Sequence, residues 1–358
     1  MFSKLTAFLD SFVRDGAPGY DCLILQNGRE IYRHQGGYTD VERRIPVSGN
    51  ERYNLYSCSK PITVTAALML LEEGLYTLED PLYAILPEFR EMSVMEGDTV
   101  RKAKNPIRMR DLFAMTAGFS YNLETPALQR AKVETGGRCG TREVMPYFAQ
   151  SPLSFEPGTR WQYSACHDIL AAAVEVMAGE RFGAFVARRI FRPLGMSRST
   201  FLMHENDPDT VTEQYRYDSD AGVAKNCGNS LGVFKLGTEY ESGGAGCIST
   251  VEDYLRFMEG LRTYALLRPE TVDLMQTDCL NEDTRPCFWH KDRYGYALGV
   301  RCPLPGGATD FGWDGAAGSY MAIERELGLS VFYATHLLNP PIAVPRLQII
   351  DIVKEAVS

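Results

Sequence analysis

The chain has 358 residues, 45% hydrophobic and 23% charged, a composition typical of an ordinary globular protein with enough apolar material for a large core. Its net charge of −9 argues against nucleic-acid binding, because phosphate recognition draws on clustered lysine and arginine. The N-terminus lacks the apolar core of a signal peptide and no apolar stretch approaches a membrane span, so we expect a cytoplasmic protein.

Cysteine and histidine patterns give no sign of a metal site. The nine cysteines are odd in number, scattered and without a Cys-x-x-Cys pair, so we expect free thiols. The five histidines are equally dispersed and form no His-Glu-x-x-His motif. The sequence therefore predicts neither a metal nor another cofactor.

The first predicted elements are a helix and a hairpin. The opening ten residues are typical of an amphipathic helix. Residues 21–26 and 30–34 are short strand-like runs, and Asn27-Gly28 between them is the strongest short signal for a hairpin. Two antiparallel strands are therefore expected after the first helix.

The next predicted helix carries a candidate nucleophile and its base. It opens at residues 56–60, Tyr-Ser-Cys-Ser-Lys, and continues through the apolar run 61–71 until Gly74 ends it. In a helix, Ser57 and Lys60 lie one turn apart on one face. A lysine can remove the proton of a serine if burial lowers its pKa, and a helix N-terminus favours developing negative charge. A capped core helix without catalysis is the alternative.

The later elements are helices followed by strands. Helices are predicted over residues 107–115, 168–177 and 182–191, from a capping box at residues 249–252 through Leu261, and over residues 343–357. Strands are predicted over residues 296–302, 319–324 and 329–335. Residues 119–160 are interpreted as binding loops, and residues 200–247 show no element.

This order of elements predicts an α+β fold. Strands occur at both ends of the chain and helices lie between them, so one antiparallel sheet from both chain ends, flanked by the terminal helices, is the economical arrangement. We predict a single domain over residues 1–358. Its α/β lobe comprises residues 1–60 and 245–358, and its mainly helical lobe comprises residues 61–244.

Several short segments, in the same order, resemble the serine β-lactamase and penicillin-binding-protein superfamily, in its class C-like branch that includes carboxylesterases. The resemblance covers about residues 5 to 336. It rests on residues 55–60, 72–81, 86–89, 110–112, 116–118, 163–164, 193–196 and 244–246. It implies the β-lactamase/transpeptidase-like fold.

The resemblance also implies roles for individual residues. Ser57 would be the acylated nucleophile and Lys60 its adjacent base, while Tyr163 matches the tyrosine of the family's Tyr-x-Asn element. We expect Lys60 to lower the pKa of Tyr163, so that the two groups relay a proton at neutral pH. The backbone N–H groups of Ser57 and Ala316 would form the oxyanion hole.

Two departures from the family pattern favour esters over β-lactams. Ala165 stands where the Tyr-x-Asn element has its amide, and Trp313-Asp314-Gly315 stands where the family has Lys-Thr-Gly. The Trp-x-Gly element resembles the esterase branch, so these three residues are candidate contacts to a neutral or cationic substrate, with a solvated carboxylate as the alternative for Asp314. Candidate aromatic cleft residues are Tyr121, Tyr215, Tyr217, Trp289 and Trp313.

Two rival nucleophiles have weaker support. Ser230 fits the Gly-x-Ser-x-Gly motif of α/β-hydrolases, but no strand precedes it and no helix follows it. Cys166 and His167 are adjacent and cannot face each other as nucleophile and base, so Cys166 is expected to be a buried thiol near the cleft.

The sequence therefore predicts a serine hydrolase that forms an acyl-enzyme on Ser57 and acts on small esters. A β-lactamase or a D-amino-acid peptidase or amidase is the alternative within the hydrolases. A non-catalytic ligand-binding relative is the alternative from another class. The oligomeric state is left open.

Overall fold

The protein combines α-helices with mostly antiparallel strands, and a computed structural model describes residues 1–203, 211–228, 234–340 and 345–358. The helices are α1 (Ser3–Arg14), α2 (Ser59–Glu72), α3 (Met109–Phe113), α4 (Pro126–Glu134), α5 (Met145–Phe148), α6 (Cys166–Ala178), α7 (Phe182–Val186), α8 (Val251–Arg262), α9 (Pro269–Leu274) and α10 (Ile349–Val357). The strands are β1 (Gly19–Gln26), β2 (Arg29–Asp40), β3 (Ile45–Pro46), β4 (Tyr53–Asn54), β5 (Ser93–Glu96), β6 (Thr99–Lys102), β7 (Tyr215–Asp218), β8 (Val223–Asn226), β9 (Ile248–Ser249), β10 (Gly295–Tyr296), β11 (Arg301–Cys302), β12 (Tyr320–Glu324), β13 (Leu329–Thr335) and β14 (Leu337–Leu338).

The main sheet joins the two ends of the chain. Its order is β12-β13-β1-β2-β3 and every neighbouring pair is antiparallel. Leu23 of β1 lies opposite Phe332 on one side and Arg33 on the other. Asn27 and Gly28 both adopt positive φ, which suits the two-residue turn between β1 and β2. The prediction of an α+β fold with one antiparallel sheet from both chain ends is confirmed.

The two faces of this sheet contact different helices. Cys22 and Ile24 point into a core that they share with α1 and α10, whereas Leu23 points into the larger core of the protein. This alternation is the expected period of two along a strand. On the larger core's side, Tyr254 of α8 stacks on Phe332 at 4.3 Å. The sheet is therefore covered by helices on both faces.

Helix α2 lies in the larger core. Residues 59–70 are all buried, and α2 packs against α6. A helix that is apolar on all sides is expected to be buried in this way. Because α2 begins two residues after Ser57, this burial gives the candidate nucleophile a rigid support.

Several predicted boundaries differ from the structure. The cap of α8 is Thr250, whose hydroxyl accepts the Asp253 N–H at 3.1 Å, so the predicted capping box lies one residue too early. The single strand predicted over residues 296–302 is wrong: residues 297–300 separate β10 from β11, and Gly299 among them adopts a φ of +78°. Residues 119–160 contain α4 and α5 in addition to loops. A cap by Thr125 and a proline in the first turn were the available signals for α4.

Some predictions are only partly addressed by the structure. The division into two lobes, at residues 60/61 and 244/245, stays a prediction. Ser230 lies outside the described residues, as do residues 343 and 344 of the predicted last helix.

All nine cysteines lie inside the described residues and are free thiols. Within the same ranges no helix has both the length and the apolar character needed to cross a bilayer.

Candidate active site

Ser57 lies in a single 3-10 turn, Tyr56–Cys58, that runs directly into α2. Tyr56 has a φ of +46°, a conformation that bulky residues rarely adopt and that is often found beside functional residues. The turn is fixed by the buried Ser59 hydroxyl, which donates to the Tyr56 carbonyl at 2.5 Å and accepts the Cys247 N–H at 2.8 Å. Ser57 itself is partly exposed, so a substrate can reach its hydroxyl.

Lys60 lies one turn later and is fully buried. Its Nζ is 3.2 Å from Ser57 Oγ, 2.7 Å from the Gly244 carbonyl oxygen and 3.0 Å from the Tyr121 hydroxyl. Burial lowers the pKa of Lys60 to about 7, because the charged form loses its hydration. A large fraction of Lys60 is therefore the neutral amine at neutral pH.

The three contacts of Lys60 leave its lone pair directed at Ser57. A carbonyl oxygen can only accept, so the Gly244 carbonyl takes one N–H of the amine. The Tyr121 hydroxyl can take the second. A neutral amine has two N–H groups and one lone pair, and the remaining direction is that of the Ser57 hydroxyl. This arrangement is the one a base for Ser57 requires.

Tyr163 also contacts the Ser57 hydroxyl. The two hydroxyl oxygens are 2.5 Å apart, and the Trp313 indole N–H donates to Tyr163 at 3.3 Å. The expected lowering of its pKa is wrong: burial raises the pKa of Tyr163, and the hydrogen bonds with Ser57 and Trp313 offset the rise only in part. Tyr163 is therefore a protonated phenol, suited to donating a proton rather than removing one.

Ala316, predicted as the second donor of the oxyanion hole, packs against the small apolar cluster that contains Tyr56, the residue before Ser57. Its N–H meets no acceptor among the residues that the structure describes. The preceding Gly315 donates its N–H to the Ser319 carbonyl at 2.8 Å, and the Ser319 hydroxyl donates to the Leu55 carbonyl at 3.2 Å. A Cβ at Gly315 would overlap both Ser319 and Leu55, so glycine permits this close approach.

Asp314, predicted as a substrate contact or a solvated carboxylate, is instead held in an ion pair. Its Oδ1 accepts from the buried Arg301 guanidinium at 2.9 Å, and Arg346 lies 3.9 Å from its other oxygen. Arg346 also donates to the Gly315 carbonyl at 3.2 Å. The carboxylate therefore supports the segment that carries Trp313 and Gly315, because its charge is already engaged by two guanidinium groups.

An aromatic cluster surrounds the Tyr163 ring. Trp313 stacks on it at 5.7 Å, Tyr121 is tilted against it at 5.5 Å and Trp289 lies 5.1 Å away. The Trp289 side chain is 61% exposed, unusual for tryptophan, whereas Trp313 is buried. Three of the predicted cleft aromatics therefore come together beside the candidate nucleophile.

The other two predicted cleft aromatics lie elsewhere. The Tyr215 hydroxyl donates to Glu42 at 2.8 Å, and the Tyr215 ring is buried in the core shared with α1 and α10. Tyr217 packs on the same core, beside Gly16. The prediction for both is wrong, because β7 pairs with β14 and carries these side chains away from Ser57.

Sequence reasoning missed two parts of the site. Asp168 on α6 is buried near Lys60, and the Ser242 hydroxyl donates to it at 2.6 Å. Gly244 supplies the carbonyl that Lys60 contacts. A carboxylate in the first turn of α6, directly before the buried apolar run of residues 169–174, was the available signal for Asp168. The segment containing Gly244 was noted only as part of the resemblance.

Comparisons with known proteins find relatives that match most of the chain. The sequence profile of the Beta-lactamase family matches residues 5–353. Esterase EstB of Burkholderia gladioli is 28% identical over 364 residues, which cover 93% of this chain and 90% of that protein. Lovastatin esterase of Penicillium rubens is 30% identical over 270 residues, which cover 71% and 67%.

The fold agrees with a solved structure as well. EstCE1, a hydrolase with promiscuous acyltransferase activity, superimposes with a TM-score of 0.79 at 24% identity, over 98% of this chain and 97% of that one. The predicted β-lactamase/transpeptidase-like fold and the prediction of an enzyme of the serine-hydrolase, esterase-like class are confirmed. The chain belongs to the beta-lactamase family.

Proposed function

We propose that the protein is an esterase that forms an acyl-enzyme on Ser57, with Lys60 as the base and Tyr163 as the proton donor. One observation carries the proposal: the Ser57 hydroxyl oxygen lies between the Lys60 amine, at 3.2 Å, and the Tyr163 hydroxyl, at 2.5 Å. At neutral pH a large fraction of Lys60 is the neutral amine, whereas Tyr163 is protonated. The reason is that burial lowers the pKa of the lysine and raises that of the tyrosine. An acid and a base therefore flank one nucleophile.

Acylation follows from these positions. Lys60 removes the Ser57 proton while Ser57 Oγ forms a bond to the ester carbonyl carbon. The N–H groups of Ser57 and Ala316 stabilise the resulting oxyanion. When the bond to the alkoxide breaks, Tyr163 protonates the leaving alcohol and recovers a proton that originates from Lys60. In net, one proton passes from Ser57 to the alcohol: the alcohol holds the former Tyr163 proton, the Ser57 proton has reached Tyr163 by way of Lys60, and Ser57 carries the acyl group as a neutral ester.

Deacylation repeats the sequence with another nucleophile. A water molecule, or an alcohol in its place, loses its proton to Lys60 and attacks the acyl carbonyl carbon. The bond to Ser57 Oγ then breaks, and Ser57 regains the proton. With water the product is the free acid, and with an alcohol it is a new ester.

The substrate class follows from the surroundings of Ser57. Trp313 replaces the lysine that would hold a β-lactam carboxylate, and the charge of Asp314 is engaged by Arg301. The aromatic rings of Tyr121, Trp289 and Trp313 suit an apolar substrate group. EstB and lovastatin esterase are named as esterases, which supports the same proposal. We infer that neutral esters of small molecules are the substrates.

A panel of three substrate classes tests this proposal. Purified protein is assayed with 4-nitrophenyl esters of increasing chain length, a chromogenic cephalosporin and a D-amino-acid amide. We expect ester turnover with kcat/KM at least about 100-fold above that of either other class. A higher kcat/KM for the cephalosporin or the amide would instead support the β-lactamase or amidase alternative. Absence of an acyl-enzyme with every compound would favour the ligand-binding alternative.

A further inference from the structure

A buried acidic residue, Asp168, lies behind Lys60. It belongs to α6, which packs against α2, and only 2% of its surface is exposed. A carboxylate buried to this extent is costly unless hydrogen bonds and an opposite charge compensate the lost hydration. The Ser242 hydroxyl provides one hydrogen bond at 2.6 Å, and the cation that acts on Asp168 is Lys60.

Ser242 links Asp168 to a contact of the base. Its hydroxyl oxygen accepts the Ala245 N–H at 2.9 Å while it donates to Asp168, so the carboxylate fixes the turn over residues 242–246. The carbonyl of Gly244, in the middle of this turn, is the one that lies 2.7 Å from Lys60 Nζ. Hydrogen bonds therefore link Asp168, through Ser242 and this turn, to the Gly244 carbonyl, and that carbonyl orients the Lys60 amine.

Gly244 shows how closely these groups converge. A Cβ at this position would overlap the Tyr121 hydroxyl and would lie 2.5 Å from Asp168 Oδ2. The same glycine thus separates Asp168 from Tyr121, which is the second hydrogen-bond partner of Lys60. The Gly244 contact of Lys60 therefore lies against Asp168, and the Tyr121 contact lies across the same glycine.

We propose that Asp168 is a positioning residue for Lys60: it holds the turn that presents the Gly244 carbonyl and supplies the buried negative charge near the lysine nitrogen. The inference rests on the proposed function, since it assigns Asp168 a role through the base of that reaction. It extends that function because Asp168 lies outside the set of residues that contact Ser57.

Other titratable groups around Lys60 and Asp168 stay neutral across the working pH range. Burial raises the pKa of two neighbouring cysteine thiols to about 12. It lowers the pKa of the neighbouring histidine imidazole to about 3. It also raises the pKa of three neighbouring tyrosine phenols. These groups are Cys58, Tyr121, Tyr163, Cys166, His167 and Tyr240. Asp168 is therefore the acidic group whose negative charge raises the pKa of Lys60. Burial raises the pKa of Asp168 itself, and the hydrogen bond from Ser242 and the charge of Lys60 oppose that rise.

Two variants separate the charge of Asp168 from its hydrogen bond. Asp168→Asn removes the charge and keeps an oxygen that can accept from Ser242. Ser242→Ala keeps the charge and removes the link to the turn. Asp111→Asn is the matched control, because Asp111 is a buried carboxylate that accepts from the Thr116 hydroxyl at 2.7 Å and is not among the charges acting on Lys60.

The readout is the second-order rate of fluorophosphonate labelling between pH 5 and 9, with the melting temperature measured in parallel. We expect the acidic midpoint of the Asp168→Asn profile to move to lower pH by about one unit, because loss of a nearby negative charge lowers the pKa of Lys60. We expect Ser242→Ala to react about tenfold more slowly with an unchanged midpoint. Asp111→Asn is expected to keep both the rate and the midpoint.

Three results would overturn the inference. They are an unchanged midpoint in folded Asp168→Asn, a midpoint that moves to higher pH, and an equal shift in Asp111→Asn. If Asp168→Asn does not fold, Ser242→Ala decides, and an unchanged labelling rate in that variant would refute the positioning role. Wild-type protein that is not labelled at any pH would instead refute the proposed function itself.

Discussion

The Lys60 amine lies 3.2 Å from the Ser57 hydroxyl in a position where the lysine has no exposed surface. Burial lowers the pKa of Lys60 to about 7, and this sets the pH dependence of acylation. Only the neutral amine can accept the Ser57 proton, so the rate of acylation should rise with pH through about 7 and level off above it. A profile of kcat/KM against pH for a 4-nitrophenyl ester measures this directly. A rate that falls as the pH rises from 6 to 8 would contradict the assignment of Lys60 as base.

The pairing of Ser57 with Lys60 could be predicted because it is local. Three residues separate them, and the start of a helix over an apolar run places both on one face. The hairpin at Asn27-Gly28 and strand β13, observed over the predicted residues, are local in the same sense. In each case the hydrophobic period and the turn residues carry enough information to specify the structure.

The contacts of the site that sequence reasoning missed are long-range. Asp168 meets Ser242 across 74 residues, and Lys60 meets Gly244 across 184. No periodicity in the sequence encodes either contact, because tertiary packing of α6 and the turn over residues 242–246 against α2 creates them. Asp314 illustrates the same limit: its sequence neighbours suggest a substrate contact, but Arg301 and Arg346 take its charge.

The protonated Tyr163 hydroxyl should be needed for chemistry and not for folding. Tyr163→Phe removes the hydroxyl that lies 2.5 Å from Ser57 Oγ and keeps the ring that stacks on Trp313. General acid catalysis typically contributes about 10²–10⁴ in rate, so we expect kcat to fall by that factor with the melting temperature nearly unchanged. Tyr32→Phe, which removes the hydroxyl 3.0 Å from Thr6, is the control and should retain kcat. Wild-type kcat in Tyr163→Phe would remove this tyrosine from the mechanism.

Asp314 should matter for stability more than for the choice of substrate. Asp314→Asn leaves the fully buried Arg301 with a weaker set of partners, of which Asp310 at 3.6 Å is one. We expect the free energy of unfolding to fall by roughly 3 kcal/mol, measured by urea denaturation. The ratio of KM values for neutral and cationic esters should be unchanged. A selective rise in KM for cationic esters would instead show that Asp314 contacts the substrate.

The exposed indole of Trp289 should favour bulky apolar substrates. It lies 5.1 Å from the Tyr163 ring and is 61% exposed, so its removal costs little packing inside the protein. We expect Trp289→Ala to raise KM about 3- to 10-fold for esters with large apolar or aromatic groups and to leave acetate esters nearly unaffected. Tyr38→Ala, at an exposed aromatic residue on β2, is the control. An equal rise in KM for acetate and bulky esters would contradict a role in substrate selection.

The central claim, that Ser57 is an activated nucleophile, is tested most directly by intact-mass measurement after exposure to a fluorophosphonate. Wild type and Ser57→Ala are treated in parallel, and circular dichroism establishes that both are folded. We expect one covalent adduct on the wild type and none on the variant, together with loss of ester turnover in the variant. An adduct that persists in Ser57→Ala, or wild-type turnover in that variant, would contradict the mechanism and make Ser230 the next residue to test.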